Sequence, residues 1–424
     1  MSKRRAALTI VGVLVAVAAA PGLGRAQENT APPTEAPTGY DNLTNGHTVQ
    51  GPPFQSLNSD NVVARRSFND NRFLFEDTEV DTDGLGPVYN AQSCRECHQS
   101  VVTGGASQIA ELRTGRQGKR GFFESAGGTL IHSRATYADL VERPAYTDNV
   151  ATLRVSTNTL GDGFVEAVAD ETLLAIQRAQ PPALRGNAIA VPVLEAAGLN
   201  RIGRFGWKSQ HASLESFAAD AYLNEMGITS PLFPEENTSD GKSVKAYDHV
   251  ADPEDDGVDI IAFADFMRAT KAPARGPISA AVRAGEQVFN ATGCNVCHTP
   301  TMVTAPANTV LNGGKFVVSA ALGNKVIHPY SDFMLHDVGT GDGIPVLPIT
   351  EGAPVPEVSV TARQMRTAPL WGLRTRNRLM HDGLSFTSED AISRHGGQAA
   401  PVRARYNGLD AKQKSLLLSF LGSL

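Results

Sequence analysis

Two stretches of the chain carry the same chemistry. Tyr89-Asn90-Ala91-Gln92-Ser93-Cys94-Arg95-Glu96-Cys97-His98 and Phe289-Asn290-Ala291-Thr292-Gly293-Cys294-Asn295-Val296-Cys297-His298 each end in C-x-x-C-H, preceded by an aromatic residue, Asn and Ala at the same offset. Together they use all 4 cysteines of the chain. Two thiols three positions apart on one helical turn can reach the two vinyl groups of one haem, and the adjacent His can then ligate the iron. The rival chemistries are a zinc site, a thiol redox pair and a disulfide. Zinc needs further ligands close by, and the sequence supplies no second pair near either motif. A redox C-x-x-C has no reason to be followed by His twice. The cysteine count leaves disulfides open, but the repeated motif in an exported chain favours two covalent c-type haems held by Cys94, Cys97, His98 and by Cys294, Cys297, His298.

Export is read from the N-terminus. Lys3, Arg4 and Arg5 precede an apolar run from Ala6 to Ala20 that Pro21 and Gly22 break, and Gly24-Arg25-Ala26 offers a cleavage site before Gln27. The run is short for a bilayer span, so residues 1–26 read as a signal peptide and the mature chain as periplasmic, without a membrane span. Covalent haem assembly outside the cytoplasm agrees with this. The net charge of −6, with Lys and Arg scattered, argues against nucleic-acid binding.

The elements that must position the motifs follow. Residues 27–60, rich in Pro and Thr, read as a flexible linker. Residues 61–275 read as one haem domain, and Pro273, Gly276 and Pro277 mark a boundary to a second over 276–424. The basic stretch Arg113 to Arg120 reads most simply as a solvated loop, with contact to haem propionates or an acidic donor as the alternative. Helices are expected over Glu166–Ile176, stopped by Pro181-Pro182, and over Ser213–Met226, where Leu214, Phe217, Ala218 and Ala221 recur at helical spacing. Val282, Gly285 and Phe289 share a helix face leading into the second motif. Thr387 with Asp390 forms a capping pattern before a short helix bearing Ala391, Ile392 and His395, and Leu416, Leu417, Phe420 and Leu421 make a closing amphipathic helix. Strand signals are few, so the expected fold is mostly α, with two cytochrome c-like haem domains.

The sixth ligand of each iron decides what it does. A second strong ligand makes an electron-transfer haem, and an open position makes a reactive one. His395, on an apolar helix face before Gly396-Gly397, is the leading candidate in the second half, with Met334, His336, Met380 and His381 as rivals. In the first half His132 and His211 are weaker candidates, and an open position fits equally well.

From Asn61 to Leu424 the chain resembles the bacterial di-haem oxidoreductases, peroxidase-like proteins also labelled thiol oxidoreductases and related to di-haem cytochrome c peroxidases and to the di-haem enzyme of methylamine dehydrogenase maturation. The resemblance rests on Gly84-Leu85-Gly86-Pro87 with the first C-x-x-C-H, Arg204 to Lys208, Glu225 to Thr229, Pro329 to Gly339, Thr367 to Leu373 and His381-Asp382-Gly383. It implies that Trp207 lies between the haems and passes electrons. It also implies that Glu225 lines the reactive pocket as general acid and base, allowing for an intervening stretch two residues shorter. The relatives' pocket Gln falls at Phe217, a departure that weakens the peroxidase assignment. Their distal ligand to the electron-transfer haem falls at His395, fourteen positions after His381. A His there should lower that haem's potential relative to Met. Calcium is not carried over, because Arg376 and Arg378 stand at the expected ligand positions and suit haem propionates instead. The implied activity is peroxide reduction with electrons from a small cytochrome c or cupredoxin. Two alternatives stay open: an electron-transfer cytochrome without its own chemistry, and an oxidase or modifying enzyme acting on an organic or protein substrate.

Overall fold

The computed structural model describes residues 32–39, 56–58, 62, 68–346 and 360–424. The segment 1–26, read above as a signal peptide, and most of the stretch read as a linker lie outside the described residues. Within that stretch Thr34–Glu35 forms a strand that pairs in parallel with Lys325–Ile327. Pro33–Leu424 pack as one compact unit, and 273–279 contain no helix or strand. No helix among the described residues is long and apolar enough to cross a membrane.

The expectation of a mostly α fold with two cytochrome c-like haem domains is overturned. The described residues are not mostly helical: helix accounts for 33% and strand for 17%, with ten α-helices and several small sheets among them. The helices are short, and the sheets among the described residues have two or three strands each. The largest error was the basic stretch. Ala110–Gly118 is not a solvated loop but the central strand of a three-stranded antiparallel sheet, between Gly121–Glu124 and Val150–Val155. Its alternation was concealed because both faces carry polar residues. Thr114 is fully buried on one face, while Glu111 and Arg113, two residues apart and so on the same side, line an internal cleft.

Local signals explain the helices that hold the motifs. Ser93 Oγ accepts from Glu96 N at 3.3 Å and starts the single turn Cys94–Cys97. Ser279 caps the helix Ala280–Thr292, which Gly293 ends with φ 91°, turning the chain directly into Cys294. That helix buries Val282, Gly285 and Phe289 against the closing helix Ala411–Leu421. A Cβ on Gly285 would lie 2.0 Å from the Leu416 carbonyl oxygen, so glycine lets the two backbones meet. Ser213 caps Leu214–Ala221, which continues into a π-helical turn, Tyr222–Met226, closed by Gly227 at φ 71°. A π-turn re-aims the side chains that follow it, and here it carries Glu225.

Buried charge ties distant segments together. Glu166 accepts from Arg268 Nε and Nη2 at 2.7 and 3.0 Å, from Leu214 N at 2.9 Å and from Asn312 Nδ2 at 2.9 Å. Burial alone would raise the Glu166 pKa, but the Arg268 charge overrides it and holds the carboxyl below its ordinary range. A depressed folded-state pKa contributes stability that is complete above the unfolded value of about 4.3 and is lost as pH falls through the folded value.

Two outcomes are expected in denaturant titrations. Glu166→Gln should lose about 3–5 kcal/mol at neutral pH by stranding Arg268, with the deficit narrowing as pH falls below about 4. Gly285→Ala should lose about 1–3 kcal/mol by forcing the two helices apart.

Candidate di-haem site

Around the second motif, two imidazoles face each other. The His298 and His395 ring centroids lie 6.4 Å apart, with planes inclined by 54°. His298 Nδ1 donates to the Tyr330 carbonyl at 3.0 Å, and His395 Nδ1 donates to the Ala391 carbonyl at 2.8 Å. With the proton on Nδ1 in each ring, both Nε2 atoms keep a lone pair. The gap suits one metal atom bonded to both rings at about 2 Å each. Burial and the neighbouring His395 push the His298 pKa down to about 4, and burial lowers that of His395, so both rings are neutral and able to ligate. The helix carrying Ala391 is Ser388–Ser393, capped by Thr387 Oγ1 accepting from Asp390 N at 3.1 Å. His395 follows its end, held by that backbone bond.

Of the rival residues, His381, His336 and Met334 have other partners, while Met380 borders the cavity. Both His381 nitrogens meet carbonyls, Leu153 at 3.3 Å and Thr340 at 2.6 Å. His336 Nε2 donates to Asp332 at 2.8 Å, and its Nδ1 lies 3.6 Å from Cys297 Sγ. Met334 is buried in the main apolar core. Met380 lines the cavity, as do Arg376 and Arg378. Arg376 Nη2 donates to the Pro369 and Trp371 carbonyls, both at 2.7 Å.

The first motif has a different setting. His98 is buried, its ring edge against Phe75 at 6.2 Å between centroids, and burial pushes its pKa down to about 4. Its Nδ1 is buried without a hydrogen-bond partner of normal geometry. The cleft beside it, about 430 Å³ against about 220 Å³ around His298, is lined by Glu111, Arg113, His211, Phe217, Asp220 and Glu225 among others. Glu225 Oε2 accepts from Asn90 Nδ2 at 3.1 Å, and its backbone carbonyl accepts from Asn90 N and Ala91 N at 2.7 and 3.0 Å. The residues just before the first Cys therefore hold the π-turn in place. Burial, and then the nearby Glu111, hold the Glu225 carboxyl well above the ordinary range. Phe217 stacks on Phe205 with centroids 5.9 Å apart. His211 Nε2 lies 3.1 Å from Asp220 Oδ2. His132 is turned away from the cleft, bonded to Glu142 at 2.9 Å and to the Asn224 carbonyl at 3.0 Å.

Trp207 lines both cavities, together with Val155, Ser156 and Thr157. Its indole N–H donates to the Val155 carbonyl at 2.7 Å, and its ring meets His381 edge-on at 6.2 Å. All four cysteines are unpaired thiols, and burial pushes Cys94, Cys97 and Cys294 up to about 12. Each motif thus offers two cysteines and a neutral imidazole beside a large, mostly apolar cavity, which fits a haem.

A family model described as "Di-haem oxidoreductase, putative peroxidase" matches residues 122–424. The chain belongs to the di-haem oxidoreductase family. The second C-x-x-C-H lies within the matched span and the first lies before it. Among solved structures, the chain is similar to Kuenenia stuttgartiensis hydrazine synthase at 14% identity, covering 92% of this chain and 99% of that one with a TM-score of 0.39. It is also similar to a MauG-like protein associated with microbial copper homeostasis at 16% identity, covering 90% and 95% with a TM-score of 0.39. No curated protein matches the sequence.

Sequence reasoning missed Glu111 and Arg113, because their strand was read as a loop. The spacing Glu111-x-Arg113 was the available signal. It also missed the buried group Arg154, Asp342 and Lys208, in which Asp342 takes Arg154 Nη2 at 2.6 Å and Lys208 Nζ at 2.8 Å. Those residues are too far apart in sequence for any local pattern to join them.

Proposed function

We propose that the protein is a periplasmic di-haem peroxidase with both haems covalently attached, one through Cys94 and Cys97 with His98 as ligand, the other through Cys294 and Cys297 with His298 and His395. The observation that carries this reading is the asymmetry of the two sites. His298 has an imidazole opposite it, whereas the His98 cleft presents Glu225, Glu111 and Arg113. A haem iron with an open position supplies peroxide binding and electron transfer, and one closed by two imidazoles supplies an electron reservoir.

The chain's own residues do the rest. Tyr330 and Ala391 carbonyls fix the tautomers of His298 and His395. Glu225 holds a proton in a buried setting and delivers it to a peroxide oxygen as water leaves. Arg113 attracts a polar oxidant and steadies negative charge. Trp207 fills the wall common to both cavities and couples them. Arg376 and Arg378 offer positive charge for haem carboxylates. The electrons come from a small donor such as a cytochrome c or cupredoxin. The basic, apolar N-terminal segment supports export.

One observation favours a second reading. Phe217, stacked on Phe205, gives the cleft an apolar wall where peroxidase relatives have Gln. That wall suits an enzyme that uses peroxide to oxidise an organic or protein substrate.

Low-temperature electron paramagnetic resonance of the ferric protein should give one high-spin and one low-spin signal, and His395→Ala should lose the low-spin one. Two low-spin signals without peroxide turnover would instead mean an electron-transfer protein. Peroxide assays with a reduced donor should show Glu225→Gln down by about 10²–10⁴ in rate, with the His395-dependent signal intact. Pyridine haemochrome spectra should give two covalent haems per chain, reduced to one in Cys94→Ala/Cys97→Ala.

A further inference from the structure

We propose that Glu111 and Glu225 form one acid–base pair that shares a single proton in the resting protein, so that the His98 cleft holds an acid and a base side by side. This rests on the reading of that cleft as the reactive one.

The two carboxyls come from elements fixed independently. Glu111 stands on the central strand Ala110–Gly118, in register opposite Arg154. Glu225 stands on the π-turn Tyr222–Met226, which is held by Asn90 N and Ala91 N on the Glu225 carbonyl and by Gly86 N on the Met226 carbonyl at 2.9 Å. His132 adds a bond to the Asn224 carbonyl from the other side. The carboxyls cannot drift apart without breaking the sheet or the turn.

One guanidinium serves both. Arg113 Nη2 lies 3.6 Å from Glu111 Oε2 and 3.8 Å from Glu225 Oε1. A second cation, Arg154, stands opposite Glu111 and acts on it, but its guanidinium is bonded to the Asp342 carboxylate. Asn90 Nδ2 is a neutral donor to Glu225, and Ser156 Oγ is a neutral donor to Glu111 at 3.4 Å. Cys97, as a haem thioether, carries no charge. Arg154 is committed to Asp342 at 2.9 and 2.6 Å, and Asp220 lies against His211. The Glu111 and Glu225 side chains are 9% and 21% exposed. Two carboxylates so placed leave an excess negative charge in a poorly solvated site, and retaining one proton between them removes it. Burial and then the neighbouring Glu111 raise the pKa of Glu225, which agrees with this.

Such a pair can act in both directions at once. Peroxide reduction takes two electrons from the donor and two protons from solvent and yields two waters. Within that balance, one carboxylate accepts the proton of the inner peroxide oxygen while the pair's resident proton goes to the outer oxygen as the O–O bond breaks. The pair ends with one proton, as it began, and needs no outside base during the step.

Infrared spectroscopy of the resting holoprotein, without peroxide, tests the pairing. At pH 7 the difference spectrum between the wild type and Glu225→Gln should show a protonated-carboxyl C=O band that shifts in D₂O, separating it from other buried carboxyls such as Asp162 and Glu236. In Glu111→Gln the opposing charge is gone, so Glu225 should ionise at lower pH beside Arg113. The band should then disappear at lower pH than in the wild type, and Glu111→Asp should restore the wild-type midpoint. In peroxide assays, Glu111→Gln should lose about 10²-fold in kcat or more, and its basic limb should move to lower pH. A band that titrates identically in Glu111→Gln and the wild type would overturn the pair. A band that behaves as expected in a protein without peroxide turnover would support the pair and strike down the peroxidase reading alone.

Discussion

The Val155 carbonyl accepts the Trp207 indole N–H at 2.7 Å, and the Val155 amide donates to the His381 carbonyl at 2.8 Å. Much of the arrangement depends on this one residue. It ends the strand that pairs with Ala110–Gly118, so it ties the Glu111 side of the first cleft to the indole ring. Through His381 it also ties both to the segment that lines the second cavity. The wall between the cavities is therefore a hydrogen-bonded sheet edge rather than loosely packed side chains. Just before it, Arg154 meets Asp342, and Lys208 beside Trp207 meets the same carboxylate. A buried carboxylate between two cations tolerates little displacement, because separating either pair exposes an uncompensated charge. The cost of desolvating Lys208 shows in its pKa, which burial pushes down to about 8 even with Asp342 beside it.

On either side of this wall the same motif meets opposite surroundings. Beside His298, backbone carbonyls select one tautomer of each of two facing imidazoles, and the cavity is the smaller. Beside His98, a strand turns its polar face inward and a π-turn turns a carboxyl toward it. The cleft is larger, and its charges are partly uncompensated. Identical cofactors can be given different tasks in this way, since axial ligation and local polarity are the means by which a protein tunes a haem. Polar groups that would be a liability in an ordinary core are here gathered around a cavity.

The residues that could be read in advance were those whose role is set by near neighbours. Thr387 and Asp390 announced a capped helix. Gly293 and the stripe Val282, Gly285, Phe289 announced a helix running into the second motif. The stretch Ser213 to Met226 was read as one helix, yet it changes to a π-turn at Tyr222 because Gly227 packs against the Gly86 and Val88 carbonyls, where a Cβ would lie 2.7 Å away. That contact spans well over a hundred residues of sequence. The strand Ala110–Gly118 was lost for a related reason. Its polar face looks toward a cavity instead of solvent, and composition cannot tell the two apart.

The sequence by itself pointed to haem and to the family, because two thiols and an imidazole within five residues need no distant partner to be recognised. It also marked His395, through its distance from His381 and its place after a capped helix. Only the tertiary structure decided that the His395 ring meets that of His298, that Trp207 borders both cavities, and that Glu225 lies against Glu111 and Arg113. Those relations depend on strand register, on a π-turn and on buried charge pairs. Each of these is an energy shared between segments far apart in the chain, and no local pattern records it.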